Sequence, residues 1–318
     1  MFPYFFAEYR PIIAFIGVLA AFGATCLLIS RCSAYLPKDQ GRDFAVEGKK
    51  SAGKPRGAGI IFILVFTAAV LLFADINAEI AVYLILVVIE MLTGFFDDTA
   101  EKPWGELKKG ILDLIVAASV AVTYVRYNGS TIQFFGGQLT LHPVLFVLCA
   151  VVLIWVSINV TNCSDGVDGL SGTLTIISLT TIYVIGTILK QGADFSFPIL
   201  LFIVCLLGYL WYNATPSRLL MGDAGSRAMG VFIGIAILKS GSPLLYIPAA
   251  FVLIMDGGLG LVKVSLIRVF KIHIMKNILT PLHDHVRKRL GWSNTQTVFR
   301  FAIIQIVISV AMVYMLLL

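Results

Sequence analysis

The chain has 318 residues, of which 58% are hydrophobic and only 13% charged, and its mean hydropathy is +0.92. A soluble domain carries about 25% charged residues, so these figures exclude one and indicate an integral membrane protein. The net charge of +6 fits either anionic partners or the cytoplasmic bias of Lys and Arg in membrane proteins; no nucleic-acid partner is expected from it.

Apolar runs of about 20 residues recur along the whole length, which indicates helical spans and not the alternating strands of a barrel. Ten spans can be drawn, at 10–30, 57–74, 78–96, 108–126, 142–161, 169–188, 197–213, 227–239, 244–270 and 297–317. The eighth is short for a hydrocarbon layer of about 30 Å, so it is expected to begin earlier or to sit against other helices. Met1 to Tyr9 is aromatic-rich without a basic region, and no cleavable signal peptide is expected. Cys26, Cys149 and Cys205 lie inside apolar runs and no Cys-x-x-Cys occurs, so the cysteines read as reduced packing residues. No repeat or long linker divides the chain, and residues 1–318 are expected to form one polytopic domain.

Orientation follows from the basic residues. Alternate loops on one side gather twenty of the 24 lysines and arginines, while Arg10, Arg126, Lys190 and Lys239 fall on the other. Such a bias assigns the first side to the cytoplasm, and an even number of spans then puts both termini outside. Asp97-Asp98, Asp165, Asp168 and Asp223 all fall at cytoplasmic helix ends, as do Asp256 and His283-Asp284-His285. The outer loops are short and plain. Thr131 to Leu141, divided by Gly136-Gly137 between two β-prone runs, reads as a small external β-hairpin.

Each polar cluster has a plain and a chemical reading. Asp97-Asp98, followed by Lys102, Lys108 and Lys109, is either a solvated helix end or a site for a metal-bound phosphate or a phosphate nucleophile. Ionisable groups at membrane depth are costly and usually functional. In Asn159-Val-Thr-Asn162-Cys-Ser-Asp165-Gly-Val-Asp168-Gly, the two acids are three apart and share a face on a helical turn. Gly166 and Gly169 allow a tight turn and close approach of the backbone to a ligand. Capping of the next helix by Asp168 explains one carboxylate and not the series. Met221-Gly-Asp223-Ala-Gly-Ser226 resembles a cap as well, but a carboxylate between glycines is also an accessible Mg²⁺ ligand. Pro281-Leu-His-Asp-His285 with Arg287-Lys-Arg289 suits either lipid headgroups or a pyrophosphate; no His-x-x-x-His or Cys partner supports zinc. Lys49 to Gly59 is a basic loop without Walker spacing.

Four of these motifs, Gly94-Phe-Phe-Asp97-Asp98, Asn159 to Gly169, Met221 to Ser226 and Pro281 to His285, in this order and topology, resemble the polyprenyl-phosphate N-acetylhexosamine-1-phosphate transferase family. The resemblance covers nearly the whole chain. Within the family, Pro-Leu-His-x-His followed by Gly291-Trp292 and Val298-Phe-Arg300-Phe is similar to the branch that transfers phospho-N-acetylmuramoyl-pentapeptide. It implies an all-α multi-pass protein of the bacterial plasma membrane with about ten spans, a cytoplasmic active site, Mg²⁺ and a homodimer. The implied reaction moves phospho-N-acetylmuramoyl-pentapeptide from a UDP-linked amino sugar to undecaprenyl phosphate, giving UMP and the first lipid-linked peptidoglycan precursor.

By the same resemblance Asp223 binds Mg²⁺, with Asn162 as a second ligand, and Asp97 and Asp98 position or deprotonate the lipid phosphate. Asn162, Asp165, Gly166 and Asp168 hold the nucleotide, with Ser226 beside the substrate. Lys50, Lys109, His283 and His285 neutralise the pyrophosphate. The chain departs from the branch at three places: Asp284 replaces the middle of three histidines, Gly53-Lys-Pro-Arg-Gly-Ala-Gly59 replaces Gly-Thr-Pro-Thr-Met-Gly-Gly, and Leu220 replaces an aromatic residue that stacks on uracil. Met255-Asp256-Gly is more like the sister branch that transfers N-acetylglucosamine-1-phosphate, which is the alternative. A transporter would place polar residues at mid-membrane and pair broken helices in repeats, whereas the acids cluster at one interface. A CDP-alcohol phosphotransferase would need Asp-Gly-x-x-Ala-Arg, which Asp165-Gly-Val-Asp168-Gly-Leu lacks.

Overall fold

The computed structural model describes residues 1–5, 7–41, 51–102, 104–134, 136–273, 275 and 277–318. In chain order its helices are α1 (Phe2–Phe5), α2 (Arg10–Cys32), α3 (Gly59–Phe73), α4 (Ala78–Thr99), α5 (Glu106–Asn128), α6 (Pro143–Cys163), α7 (Leu170–Leu189), α8 (Ala193–Asn213), α9 (Gly222–Lys239), α10 (Tyr246–Ala249), α11 (Phe251–Leu253), α12 (Leu259–Ser265), α13 (Leu282–Leu290) and α14 (Asn294–Leu317). Between α5 and α6 the strands β1 (Thr131–Phe134) and β2 (Gly137–Thr140) pair antiparallel, with Thr131 opposite Thr140 and Phe134 opposite Gly137. This is the hairpin that the Gly136-Gly137 turn predicts.

Helix stands at each of the ten apolar segments. Among the described residues, however, seven helices are long and apolar enough to cross a membrane, or eight if one bent pair is a single span. Two of the ten fall short for physical reasons. α3 has 15 residues, about 22 Å at 1.5 Å per residue. α9 carries Asp223, Arg227 and Lys239 within 18 residues. Such a helix is tolerated because every residue from Gly222 to Lys239 is buried. It starts before the predicted boundary and forms the central post of the bundle, packed chiefly against α4 and α6. Halfway along it, Phe232 stacks on Phe202 of α8 at 4.0 Å, and Phe66 of α3 meets both rings edge-on, an arrangement that aromatic quadrupoles favour.

The charges of α9 are met by protein and not by lipid. At the end away from the candidate site, the Lys239 ammonium lies 2.9 Å from Glu79, 3.1 Å from Asp194 and 3.2 Å from Asn128. Arg227, which the sequence places with the loop cations, is instead buried between Asp113 and Glu90, the latter at 2.8 Å. Two carboxylates in the interior hold it there, since a buried charge stripped of its partners is strongly unfavourable.

The ninth predicted span, 244–270, requires a correction. It is a pair of helical segments bent by 73° at Ala250. Pro248 lacks an N–H and crowds the preceding turn, and Ala250 leaves helical geometry (φ −124°, ψ 27°). Gln305 of α14 takes up the freed backbone groups. Its Oε1 accepts from the N–H of Val252 at 2.9 Å, and its Nε2 donates to the carbonyls of Pro248 and Ala249 at 2.9 and 3.1 Å. Backbone polar groups away from water must be satisfied inside the protein, which accounts for a fully buried glutamine on a membrane helix. Beyond the break the chain widens into π turns at Ile254–Gly258 and Leu266–Phe270.

Candidate functional site

The polar motifs converge on the N-terminal end of α9. Two glycines make this possible. A Cβ on Gly94 would collide with the Asp223 carbonyl, and one on Gly59 with the Ala224–Gly225 backbone, so α3 and α4 approach the first turn of α9 as no larger residue would permit. The loop before α3 is laced to both neighbours. Arg56 N–H donates to the Pro37 carbonyl and Leu220 N–H to that of Pro55, each at 2.8 Å; Ala58 and Gly59 N–H donate to Leu220 and Met221 at 3.0 Å.

Four carboxylates meet two cations here. Lys109 of α5 is paired with Asp97 and lies 3.1 Å from Asp223. Arg56 lies 2.8 Å from Asp98, 3.3 Å from Asp39 and 3.5 Å from Asp223. Asp97 also accepts the Trp104 N–H at 2.6 Å, and Asp98 that of Ala224 at 3.2 Å. Burial opposes the charge on Arg56, but Asp98, Asp223 and Asp39 outweigh it and hold its pKa above the usual arginine value. The neighbouring Lys108 stacks on Trp104, 3.3 Å from the ring centroid, so Lys109 is the lysine that reaches the acids.

Among the described residues no group of three or more His, Cys, Asp or Glu is arranged as a ready metal cage. The donor set nevertheless fits Mg²⁺, which takes one or two carboxylates and fills its remaining positions with water and substrate phosphates. Asp39, Asp97, Asp98 and Asp223 against Arg56 and Lys109 leave a net charge of −2, which one divalent cation neutralises. Asn162 donates through Nδ2 to Ser226 Oγ at 2.9 Å, and Ser226 Oγ donates to the Gly222 carbonyl at 3.0 Å. The amide nitrogen of Asn162 is thereby committed, and its oxygen is the atom that would meet a cation.

The loop between α6 and α7 forms one wall of a cavity of about 710 Å³, within the roughly 300–1,000 Å³ typical of ligand pockets. Asp165, Gly166 and Asp168 line it with Lys54, Arg56 and Leu220, and Arg287 and Trp292 face them. Asp168 does not cap α7, whose N-cap is Gly169 at φ 81°. It accepts the Ser217 N–H at 3.1 Å, with the Lys54 ammonium 4.0 Å away. It therefore ties the α8–α9 loop to the cavity wall. The space beside Gly166 is taken by the His283 imidazole, which a Cβ there would strike, so what approaches this backbone is a side chain.

The histidines separate. His283 is buried; its backbone N–H donates to Asp256 Oδ1 at 2.7 Å and its ring Nδ1 lies 2.8 Å from Asp256 Oδ2. His285 turns the other way and accepts the Leu279 N–H on Nδ1 at 3.2 Å. Neither lines the cavity. Lys50 lies outside the described residues. The structure thus brings together Asp97, Asp98, Asp223 and Lys109, places Asn162 and Ser226 beside them, and sets Asp165, Gly166 and Asp168 on the cavity wall. Three participants have no role in the sequence reading. Arg56 and Asp39 sit in a basic loop that reads as a topology signal, and Asp256 stands out as an acid in an apolar run with no partner in sight along the chain.

A model of glycosyl transferase family 4 matches residues 80–241. The phospho-N-acetylmuramoyl-pentapeptide-transferase of Treponema pallidum is 38% identical over 317 residues, 93% of this chain and 87% of that protein. The protein of the same name from Borrelia garinii is 31% identical over 82% of this chain and 81% of its own length, and that of Clostridium acetobutylicum 29% identical over 81% and 83%.

Proposed function

The chain belongs to glycosyl transferase family 4, and from that premise we propose that it transfers phospho-N-acetylmuramoyl-pentapeptide from its UDP conjugate to undecaprenyl phosphate, giving lipid I and UMP. The observation that carries this reading is the meeting of Asp97, Asp98 and Asp223 with Lys109 and Arg56 beside a nucleotide-sized cavity.

A phosphate oxygen of the lipid attacks the β-phosphorus of the donor. The new P–O bond forms as the bond from that phosphorus to the bridging oxygen breaks, and UMP leaves with the oxygen. Protein-side catalysis of such a transfer is largely positioning and charge neutralisation. Asp97 and Asp98 orient the lipid phosphate and take up its proton. Asp165, Gly166 and Asp168 hold the nucleotide, with Asn162 and Ser226 next to the transferring group. Lys109 neutralises the diphosphate, and Lys50, His283 and His285 are the further residues assigned to it. Asp223 and the Asn162 oxygen would hold Mg²⁺, which supplies charge stabilisation at the phosphate oxygens. The bias of Lys and Arg in the sequence toward the loops that carry the motifs supports a cytoplasmic site in a bacterial plasma membrane, with both chain ends on the far side. The expected assembly is a homodimer.

The test is to incubate the purified protein with undecaprenyl phosphate, Mg²⁺ and each radiolabelled UDP-sugar in turn. Lipid-linked product and UMP are expected from the muramoyl-pentapeptide donor. Product from UDP-N-acetylglucosamine alone would replace this reading with the alternative. Full Mg²⁺-dependent UMP release by folded Asp223→Ala would overturn the metal assignment.

A further inference from the structure

Arg56 touches both halves of the site. Its backbone is fixed on one side by Pro37 and on the other, through Pro55, by Leu220. One guanidinium nitrogen faces Asp39, which is itself held by Ser51 Oγ at 2.6 Å and Gly41 N–H at 3.1 Å. The other nitrogen reaches Asp98 and Asp223. The side chain is 22% exposed, and Arg56 lines the cavity wall. A single rigidly placed cation therefore borders the carboxylates and the space for the substrate.

We infer that Arg56 is a further catalytic residue of the reaction proposed above: a resident cation that holds Asp98, shares Asp223 with the divalent metal and binds the diphosphate of the donor. The inference rests on that reading of the site. A guanidinium carries donors in a planar fork that matches phosphate oxygens, stays charged at any working pH, and forms the stronger, charge-assisted hydrogen bonds. Held by Asp39, it is pre-organised for that task. Its charge also sets the balance at the metal. With Arg56 in place the cluster carries −2; without it the charge is −3, and among the described residues Lys109, on Asp97 and Asp223, is the remaining cation of the cluster. Removing Arg56 should therefore act in opposite directions on the two ligands. The metal should bind more tightly and the diphosphate more weakly. A side chain that only propped up the loop would weaken both.

The experiment compares the full-length protein in detergent with Arg56→Gln and Arg56→Lys. Mn²⁺ alone is titrated and free Mn²⁺ followed by electron paramagnetic resonance. UDP, and UMP as the monophosphate control, are then titrated calorimetrically at saturating Mn²⁺. In Arg56→Gln, Mn²⁺ is expected to bind about tenfold more tightly, from the lost like-charge repulsion. UDP is expected to bind at least about tenfold more weakly, from the lost charged hydrogen bonds, with UMP little changed. Arg56→Lys should fall between the two and carries the test if the glutamine variant does not fold. Parallel weakening of Mn²⁺ and UDP, or no change in either, would overturn the inference. Wild-type protein that binds UDP and Mn²⁺ in the expected way yet forms no lipid-linked product would remove the proposed reaction and not the role of Arg56 as a diphosphate ligand.

Discussion

Asp256 and His283 grip each other at two points, the backbone N–H of His283 on Oδ1 at 2.7 Å and ring Nδ1 beside Oδ2 at 2.8 Å. Both residues are buried, and Nε2 of the ring is turned toward Gly166 on the loop that lines the cavity. A carboxylate on Nδ1 fixes the ring orientation, so that Nε2 is held in place beside the Gly166 backbone. Asp256 is then a positioning residue for His283. Asp256→Asn is expected to lower the rate of lipid-linked product formation about tenfold to a hundredfold, the scale of losing an orienting carboxylate behind a functional histidine. The double variant Asp256→Asn/His283→Ala should be no worse than His283→Ala alone, because partners acting as a unit are non-additive. Independent, multiplying losses in the two single variants would separate Asp256 from His283.

Lys108 and Lys109 are adjacent in sequence and opposite in surroundings. Lys109 is paired with Asp97 and Asp223, while Lys108 stacks on Trp104. Loss of one pre-organised donor from a site of developing charge costs about a hundredfold to a thousandfold in turnover. Lys109→Ala is expected to show a fall of that size in UMP release, and Lys108→Ala to stay within about twofold, as exposed charges usually do. Equal losses in the two variants would mean that the pairing in the structure does not govern the reaction.

Much of this was legible along the chain. The helical segments follow from hydropathy alone, and the hairpin from Gly136-Gly137 between β-prone runs. The convergence of Asp97, Asp98 and Asp223 follows from counting alternate helix ends. Three features were not legible because each depends on a contact between distant segments. Arg227 reads as a loop cation until Glu90 and Asp113 are known to face it. The break at Ala250 lies inside an apolar run, and the residue that makes it tolerable, Gln305, is on another helix. Arg56 reads as one more positive charge in a basic loop, since Asp39, Asp98 and Asp223 come from three different places in the sequence.

At Gly94 the α4 backbone lies directly against the residue assigned to the metal. Its added methyl would overlap the carbonyl of Asp223, whereas at Gly23, on α2, nothing lies within 4 Å. Alanine is intrinsically the better helix residue at both positions, by about 0.5–1 kcal/mol. The close approach decides the outcome at Gly94, where overpacking costs about 1–3 kcal/mol and displaces Asp223. Gly94→Ala is expected to lower the unfolding temperature in detergent and to abolish most transfer activity, while Gly23→Ala leaves activity unchanged and the unfolding temperature equal or slightly higher. Normal activity in Gly94→Ala would show that α4 and α9 can separate without disturbing the site.

Gln305 joins the bend at Ala250 to the chemistry four residues beyond Val252. By accepting from Val252 and donating to Pro248 and Ala249, it fixes the angle at which the next segment leaves the break. That segment carries Asp256 into the π turn where it meets His283. Methionine at 305 keeps the length of the side chain and removes every hydrogen bond. Three backbone groups then lose their partner in the protein interior, each loss worth about 1–3 kcal/mol. Gln305→Met is expected to lower the unfolding temperature clearly, and to reduce product formation even in the fraction that remains folded, because Asp256 no longer arrives at His283 in register. Ile304→Met, one residue away on the exposed face of α14, serves as the control and should change neither. If Gln305→Met unfolded earlier but turned over at the wild-type rate, the glutamine would hold the helix together without positioning the site.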